Sequence, residues 1–216
     1  MEIVWYGHSY FRLKDRNTTV VMDPYDKSLG LPLPHPRADI ITISHAAPHH
    51  DHIAGVRGEF KVIDGPGEYE IKGVFINGIE MAPTKKKNDR NVADPPQNTV
   101  FVIYMEDMTV CHLGDLNHVP SQNQVEDLDN IHVLLIPVGG QNALSAAEAV
   151  EVISLIEPQI VIPMHYSLPD LSVKLDPLSK FLKEMGITKA DTVDTLKLTK
   201  SSLPEETQVT LMEAKS

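Results

Sequence analysis

Residues 41–52 read ITISHAAPHHDH, a run of β-branched residues that stops at Ser44 and gives way to four histidines and an aspartate. Ile40 to Ser44 has the composition of a buried strand. His45, His49 and His52 stand at i, i+4 and i+7, a spacing that would place all three on one face of a helix. Pro48 works against that. It has no amide hydrogen to donate and biases Ala47 away from the helical region, so a helix beginning at His45 is disfavoured, although one starting near Pro48 remains compatible. The segment reads as a loop leaving the C-terminal end of a strand, where the backbone can wrap inward and aim several side chains at one point. Taken alone, HHDH also admits the reading of a solvated loop tip.

Two more strand ends carry similar chemistry. Ile160-Val161-Ile162-Pro163-Met164 runs into His165, and Val110-Cys111-His112-Leu113-Gly114 runs into Asp115. Imidazole and carboxylate donors suit Zn²⁺ and also serve Mn²⁺ or Fe²⁺, whereas a single cysteine, Cys111, excludes a thiolate cage. The same lone cysteine excludes an internal disulfide framework.

Around these ends the first half reads as short strands: Glu2 to Tyr6, Ser9 to Lys14, Thr18 to Asp23, then Phe60 to Asp64, Tyr69 to Lys72, Val74 to Ile79, Thr99 to Met105 and Thr109 to His112. Asp64-Gly65-Pro66-Gly67 is a turn, and the polar stretch Pro83 to Pro96 reads as a long loop. The rhythm then changes. Ile131 to Pro137 is a continuous apolar strand, Ser145-Ala146-Ala147-Glu148 has capping-box spacing and opens a helix through Ile156, and Gln159 to Met164 is a second buried strand. Strand, helix, strand predicts a βαβ unit and layers of helix on sheet. Asp176-Pro177 reads as the N-cap and first position of a helix to Met185, and Leu196 to Thr199 and Gln208 to Met212 as closing edge strands.

The chain has 216 residues, 42% of them hydrophobic, which suits one domain spanning 1–216. No apolar run reaches the roughly 18 residues of a membrane span, and Met1 to Trp5 lacks the form of a secretory signal, so a cytosolic protein is expected. A formal charge of -11 and a pI near 5.3 argue against nucleic acid as a partner, because phosphate binding requires clustered Lys and Arg. Lys85 to Arg90 is a local exception that would suit an anionic small-molecule substrate or a solvated loop. Edge strands and the stretch Leu29 to Pro36 leave a homo-oligomer open.

The stretches Trp5-Tyr6-Gly7-His8-Ser9-Tyr10-Phe11, Asp23-Pro24, the histidine loop, Asp64 to Glu70, His112 to Asp115, Pro137 to Gly140 and Ile162 to Tyr166 together resemble the metallo-β-lactamase superfamily. Within it the chain is similar to the ascorbate-6-phosphate lactonase group of zinc-dependent hydrolases. The resemblance implies an αββα sandwich, two mixed β-sheets face to face with helices outside, and a metal site along one edge.

It also implies ligands. The family's loop has the form His-x-His-x-Asp-His, and His49-His50-Asp51-His52 matches its second half, which leaves Ala47 where the first histidine belongs and His45 two residues early. Either His45 reaches the metal across a two-residue insertion or that ligand is absent, and His50 is an alternative to His49. A further family histidine between the loop and the bridging aspartate has no counterpart from Ile53 to Cys111. One metal set would comprise Asp51, His52, His165 and bridging Asp115; the other, His45, His49 and Asp115, is a ligand short. One firm Zn²⁺ and a weak or absent second follow. Asp51 and Asp115 would then be the catalytic carboxylates. His8, Ser9 and His50 would lie behind the ligands, with His8 alternatively a simple turn residue, and His112 would be either an outer contact or a core side chain. The implied activity is metal-dependent hydrolysis of a lactone, ester or phosphodiester; the alternative is a degenerate member that binds metal or ligand without turnover.

Overall fold

In the computed structural model of the chain, residues 1–82 and 97–215 are described. The stretch 83–96, with Lys85 to Arg90, lies outside them. β1 (Glu2–Trp5), β2 (Phe11–Lys14), β3 (Thr19–Met22), β4 (Ile40–Thr42) and β5 (Lys61–Ile63) lie side by side, antiparallel from β1 to β3 and parallel from β3 to β5. β6 (Gly67–Ile71), β7 (Val74–Glu80), β8 (Thr99–Met105) and β9 (Met108–His112) form an antiparallel meander. After α1 (Gln122–Glu126), β10 (Val133–Pro137), α2 (Ala146–Ile156) and β11 (Ile160–Met164) extend that meander in parallel, the βαβ unit expected from the sequence. The chain closes with α3 (Leu178–Glu184), β12 (Thr192–Val193), β13 (Leu196–Lys197), β14 (Gln208–Val209) and β15 (Leu211–Met212). β13 joins β1 at the edge of the first sheet, β14 joins β11 in the second, and β12 pairs with β15.

Period-two alternation explains the layering. Ile3, Trp5, Phe11, Leu13, Val20 and Met22 point into a shared core with Ile76, Phe101, Val110 and Leu135 of the other sheet. Their neighbours Val4, Tyr10, Val21 and Ile41 point the opposite way, into a second cluster with Tyr25, Leu29, Leu31 and Val56. β10 and β11 are buried at every residue, which requires cover on both faces. α2 supplies it with Ala146, Ala149, Val152 and Ile153, and α3 with Phe181. The outer face of the first sheet is covered differently. Among the described residues its layer is made of 3₁₀ turns at Lys27–Leu29 and Ile53–Gly55 and irregular chain, whereas α2 and α3 pack on the second sheet.

The caps follow the local chemistry. Ser145 and Glu148 make both halves of the capping box, and α2 stops at Glu157, in the left-handed region just before Pro158. α3 starts one residue later than Asp176-Pro177 suggests: Pro177 is the N-cap and Asp176 instead accepts a hydrogen bond from Lys180 at 2.7 Å. No helix among the described residues is long and apolar enough to cross a membrane.

This topology sends several chain reversals to one edge. The parallel strands β3 and β4 release Asp23 and the histidine loop there, β9 releases Asp115 and β11 releases His165. Two backbone hydrogen bonds tie the sheets together at this edge: Thr99 N–H donates to Ser44 C=O at 2.8 Å, and His165 N–H to His8 C=O at 3.2 Å.

Candidate metal centre

Asp115 is the focus. Its backbone follows Gly114, which adopts φ +57° and lies so close to its neighbours that a Cβ there would sit 2.4 Å from Asn98 Oδ1 and 2.5 Å from Ser44 Cβ. Asn98 Oδ1 accepts from the Asp115 amide at 2.9 Å while its Nδ2 donates to Leu113 C=O, which clamps the turn. Three imidazoles then face the Asp115 carboxylate: His45 Nε2 at 3.8 Å and His50 Nε2 at 3.4 Å from Oδ2, and His165 Nε2 at 3.4 Å from Oδ1.

Each ring is aimed from behind. Asp23, fully buried at the end of β3, accepts from the Ser44 amide at 2.8 Å and the Ser44 hydroxyl at 2.5 Å, and its Oδ2 lies 3.0 Å from His50 Nδ1. That leaves His50 Nε2 for Asp115. Ser44 Oγ lies 2.9 Å from His45 Nδ1, with the same effect on His45. A carboxylate behind an imidazole is the usual means of fixing a ligand ring's orientation. His8 completes the group, its ring centroid 4.4 Å from that of His165 and 4.9 Å from that of His50. His8, Asp23, His49 and His165 all take positive φ, between 45° and 76°, a clustering of strained backbone typical of functional sites.

The electrostatics are those of an arrangement short of positive charge. Burial lowers the pKa of His8, His45 and His165. Burial opposes charge on His50 too, but Asp115 and Asp23 outweigh it and push that ring up to about 10. Burial likewise opposes the Asp115 carboxylate, and His50 and His165 nevertheless hold it well below the ordinary range. Even so, Asp115 Oδ1, His8 Nδ1 and His165 Nδ1 are buried without a hydrogen-bond partner. Unpaired buried polar atoms are costly. A divalent cation fits this deficit: His8, His50 and His165 offer nitrogens all within 4.8 Å of one another, and Asp23, His45 and His50 form an overlapping triplet.

His112 stands one step back. It is fully buried, its Nε2 lies 2.9 Å from Ser9 C=O, and its Nδ1 accepts from the Gly114 amide at 3.3 Å, so Nε2 carries the proton. It thereby ties the His8-Ser9 turn to the Asp115 turn; burial keeps it neutral. Ser9 contributes its carbonyl to this contact, and its hydroxyl is buried without a partner.

Two adjoining clefts open onto the group. One, of about 660 Å³, is lined by His45, Asn98, Asp115, Gln141 and Glu148; the other, of about 460 Å³, by His8, His50, Asp115, His165 and Lys174.

The sequence profile described as the beta-lactamase superfamily domain matches residues 2–165. The chain belongs to the metallo-β-lactamase superfamily. Among its relatives is a UPF0173 protein of Pyrococcus abyssi, 30% identical over 188 residues, covering 77% of this chain and 83% of that one. A UPF0173 metal-dependent hydrolase of Desulforamulus reducens is 27% identical over 222 residues, covering 88% and 96%. A solved structure from Thermotoga maritima, described as a candidate Zn-dependent hydrolase of the metallo-β-lactamase superfamily, is 38% identical, with a TM-score of 0.79 and coverage of 98% and 97%.

For this superfamily member the structure shifts the loop's register. Counted forward from His45, the pattern His-x-His-x-Asp-His meets Ala47, His49 and then His50, with no insertion. The geometry follows that count: His45 and His50 face Asp115. Asp51 and His52, expected beside Asp115 and His165, take no part in either triplet. Asp51 is exposed, and His52 packs its ring over Gly55 while its amide donates to Pro24 C=O at 2.8 Å. His49 does not face Asp115 either; its Nδ1 lies 3.7 Å from Asp26 Oδ1. The physical reason is the reversal at Ala47 to His50, closed by the His50 amide on Ala47 C=O with His49 at φ 76°, which turns His50 inward and its neighbours out. Asp23 and Asn98 carry no role in the sequence reading. Asp23-Pro24 at the end of a strand is a faint signal for the first; nothing marks the second.

Proposed function

We propose that this protein is a metal-dependent hydrolase, with Zn²⁺ as its ion, acting on a small lactone, ester or phosphodiester in the cytosol. The observation that carries the reading is the convergence of His45, His50 and His165 on the Asp115 carboxylate at the floor of two open clefts. Imidazoles of this cluster, His50 among them, would hold the ion beside Asp115. When bound, it would supply a nucleophile at neutral pH by acidifying water, and would polarise the bond under attack.

The chain's own groups do the rest. Asp23 and Ser44 keep the His50 and His45 rings pointed at Asp115. Gln141 and Asn142 present amides in both clefts and suit the polar atoms of a substrate. Lys174, exposed at the mouth of the smaller cleft, suits an anionic substituent. The family context supports hydrolysis, and the lactonase-like resemblance supports a lactone as the first class to try.

The test is a panel of lactones, esters and phosphodiesters assayed with zinc-loaded protein and with His50→Ala. Turnover that disappears on chelation, returns with zinc and is abolished in the variant supports the reading. Stoichiometric zinc without turnover of any class overturns hydrolysis.

A further inference from the structure

We propose that His8 is a direct ligand of the metal rather than a support behind the ligands, so that one ion is held by the imidazoles of His8, His50 and His165, with Asp115 beside the last two. This rests on the reading of the cluster as a metal centre and assigns its composition.

His8 occupies the tight turn between β1 and β2, and every constraint on that turn fixes the imidazole. Gly7 takes φ +101°, a conformation that side-chain-bearing residues rarely adopt. The Tyr10 amide closes the turn on Gly7 C=O at 3.0 Å. The His8 carbonyl accepts from Trp5 Nε1 at 2.9 Å and from the His165 amide at 3.2 Å. The second of these contacts joins the two sheets, so His8 and His165 are positioned against each other by backbone rather than by chance packing. Both hold φ 52°. A β1–β2 turn needs no buried imidazole in a strained conformation, and the strain is accounted for if the ring has a bond to make.

The environment states what that bond must be. His8 is 3% exposed, and no protein acceptor or donor meets its Nδ1. The same is true of His165 Nδ1 and Asp115 Oδ1. These three polar atoms are left unpartnered although the His8 and His165 rings lie 4.4 Å apart, centroid to centroid, so packing of the rings alone does not satisfy them. A cation can take one nitrogen from each ring. The nitrogens of His8, His50 and His165 lie within 4.8 Å of one another, and Asp115 abuts both His50 and His165. Three imidazoles are a recognised protein ligand set for Zn²⁺. His49, the neighbour that competes for such a role, is turned to Asp26.

The decisive experiment needs no substitution. The protein is loaded with spin-active cadmium, its histidines are nitrogen-labelled, and scalar coupling between metal and ring nitrogen is recorded; such coupling crosses only a direct bond. Coupling to His8, His50 and His165 from a single cadmium resonance is expected. Coupling that includes His50 and His165 but omits His8 overturns the assignment. Absence of any bound cadmium overturns the underlying metal-centre reading as well. A second measurement follows His8→Gly: cobalt affinity falls about 100-fold and free imidazole restores the cobalt absorption spectrum. An unchanged spectrum in His8→Gly without imidazole contradicts the proposal.

Discussion

Asp23 Oδ2 lies 3.0 Å from His50 Nδ1, and that contact, made across 27 residues of chain, leaves His50 Nε2 to face Asp115. The Ser44 amide and hydroxyl hold the carboxylate itself in place. Asp23→Asn keeps the side-chain shape but removes the charge and offers an amide to a ring that then has two tautomers to choose between. Zinc affinity should fall by about 10- to 100-fold, measured by competition with a chromophoric chelator. Affinity equal to that of the parent would show that the contact is incidental.

Gly114→Ala tests the clamp around Asp115. The added carbon would meet Asn98 Oδ1 at 2.4 Å and Ser44 Cβ at 2.5 Å, and the residue would also have to hold φ +57°. Neither neighbour is the end of a long flexible side chain. The variant should lose about 2–4 kcal/mol of stability in a denaturant titration, combining overpacking with backbone strain. A loss under roughly 1 kcal/mol would mean that the turn relaxes freely.

Asp39 gives a pH signature away from the centre. It accepts from the Thr19 amide at 2.9 Å and pairs with Lys72, joining β3 to the turn between β6 and β7. Burial opposes its charge, but the Lys72 and Thr19 hydrogen bonds outweigh burial and hold the carboxyl below its ordinary value. A group lowered in the folded state adds stability that is present above its unfolded pKa and is lost as pH falls through the folded one. Asp39→Asn should therefore cost about 1 kcal/mol at neutral pH, and the difference from the parent should shrink below roughly pH 4. A gap that stays constant into the acid range would contradict this.

The sheets are legible because short β-branched runs and the Ser145 box are local signals, and most elements fall within about two residues of that reading, whereas Gln208 to Met212 divides into β14, which joins the second sheet, and β15, which pairs with β12. Asp115 and His165 are legible as chemistry because each ends an apolar strand. The loop is another matter. His49, His50, Asp51 and His52 are adjacent, and composition does not distinguish which of them turns inward; the choice is made by the reversal on Ala47 and by Asp23, whose own position depends on strand pairing. His8 is read as a support behind the ligands or a simple turn residue for the same reason, since its partners in the triplet are 42 and more positions away. α1, opened by a Ser121–Gln124 capping box, is only five residues long and carries no buried residue to give it a periodic pattern.

The most direct measurement is the zinc content of two variants purified in parallel with the parent, His50→Ala and His52→Ala. His50 is buried against Asp23 and Asp115, while His52 packs over Gly55 outside the cluster. The account predicts that His50→Ala loses the metal and His52→Ala keeps it at the parent's stoichiometry. Retention in His50→Ala together with loss in His52→Ala would contradict it.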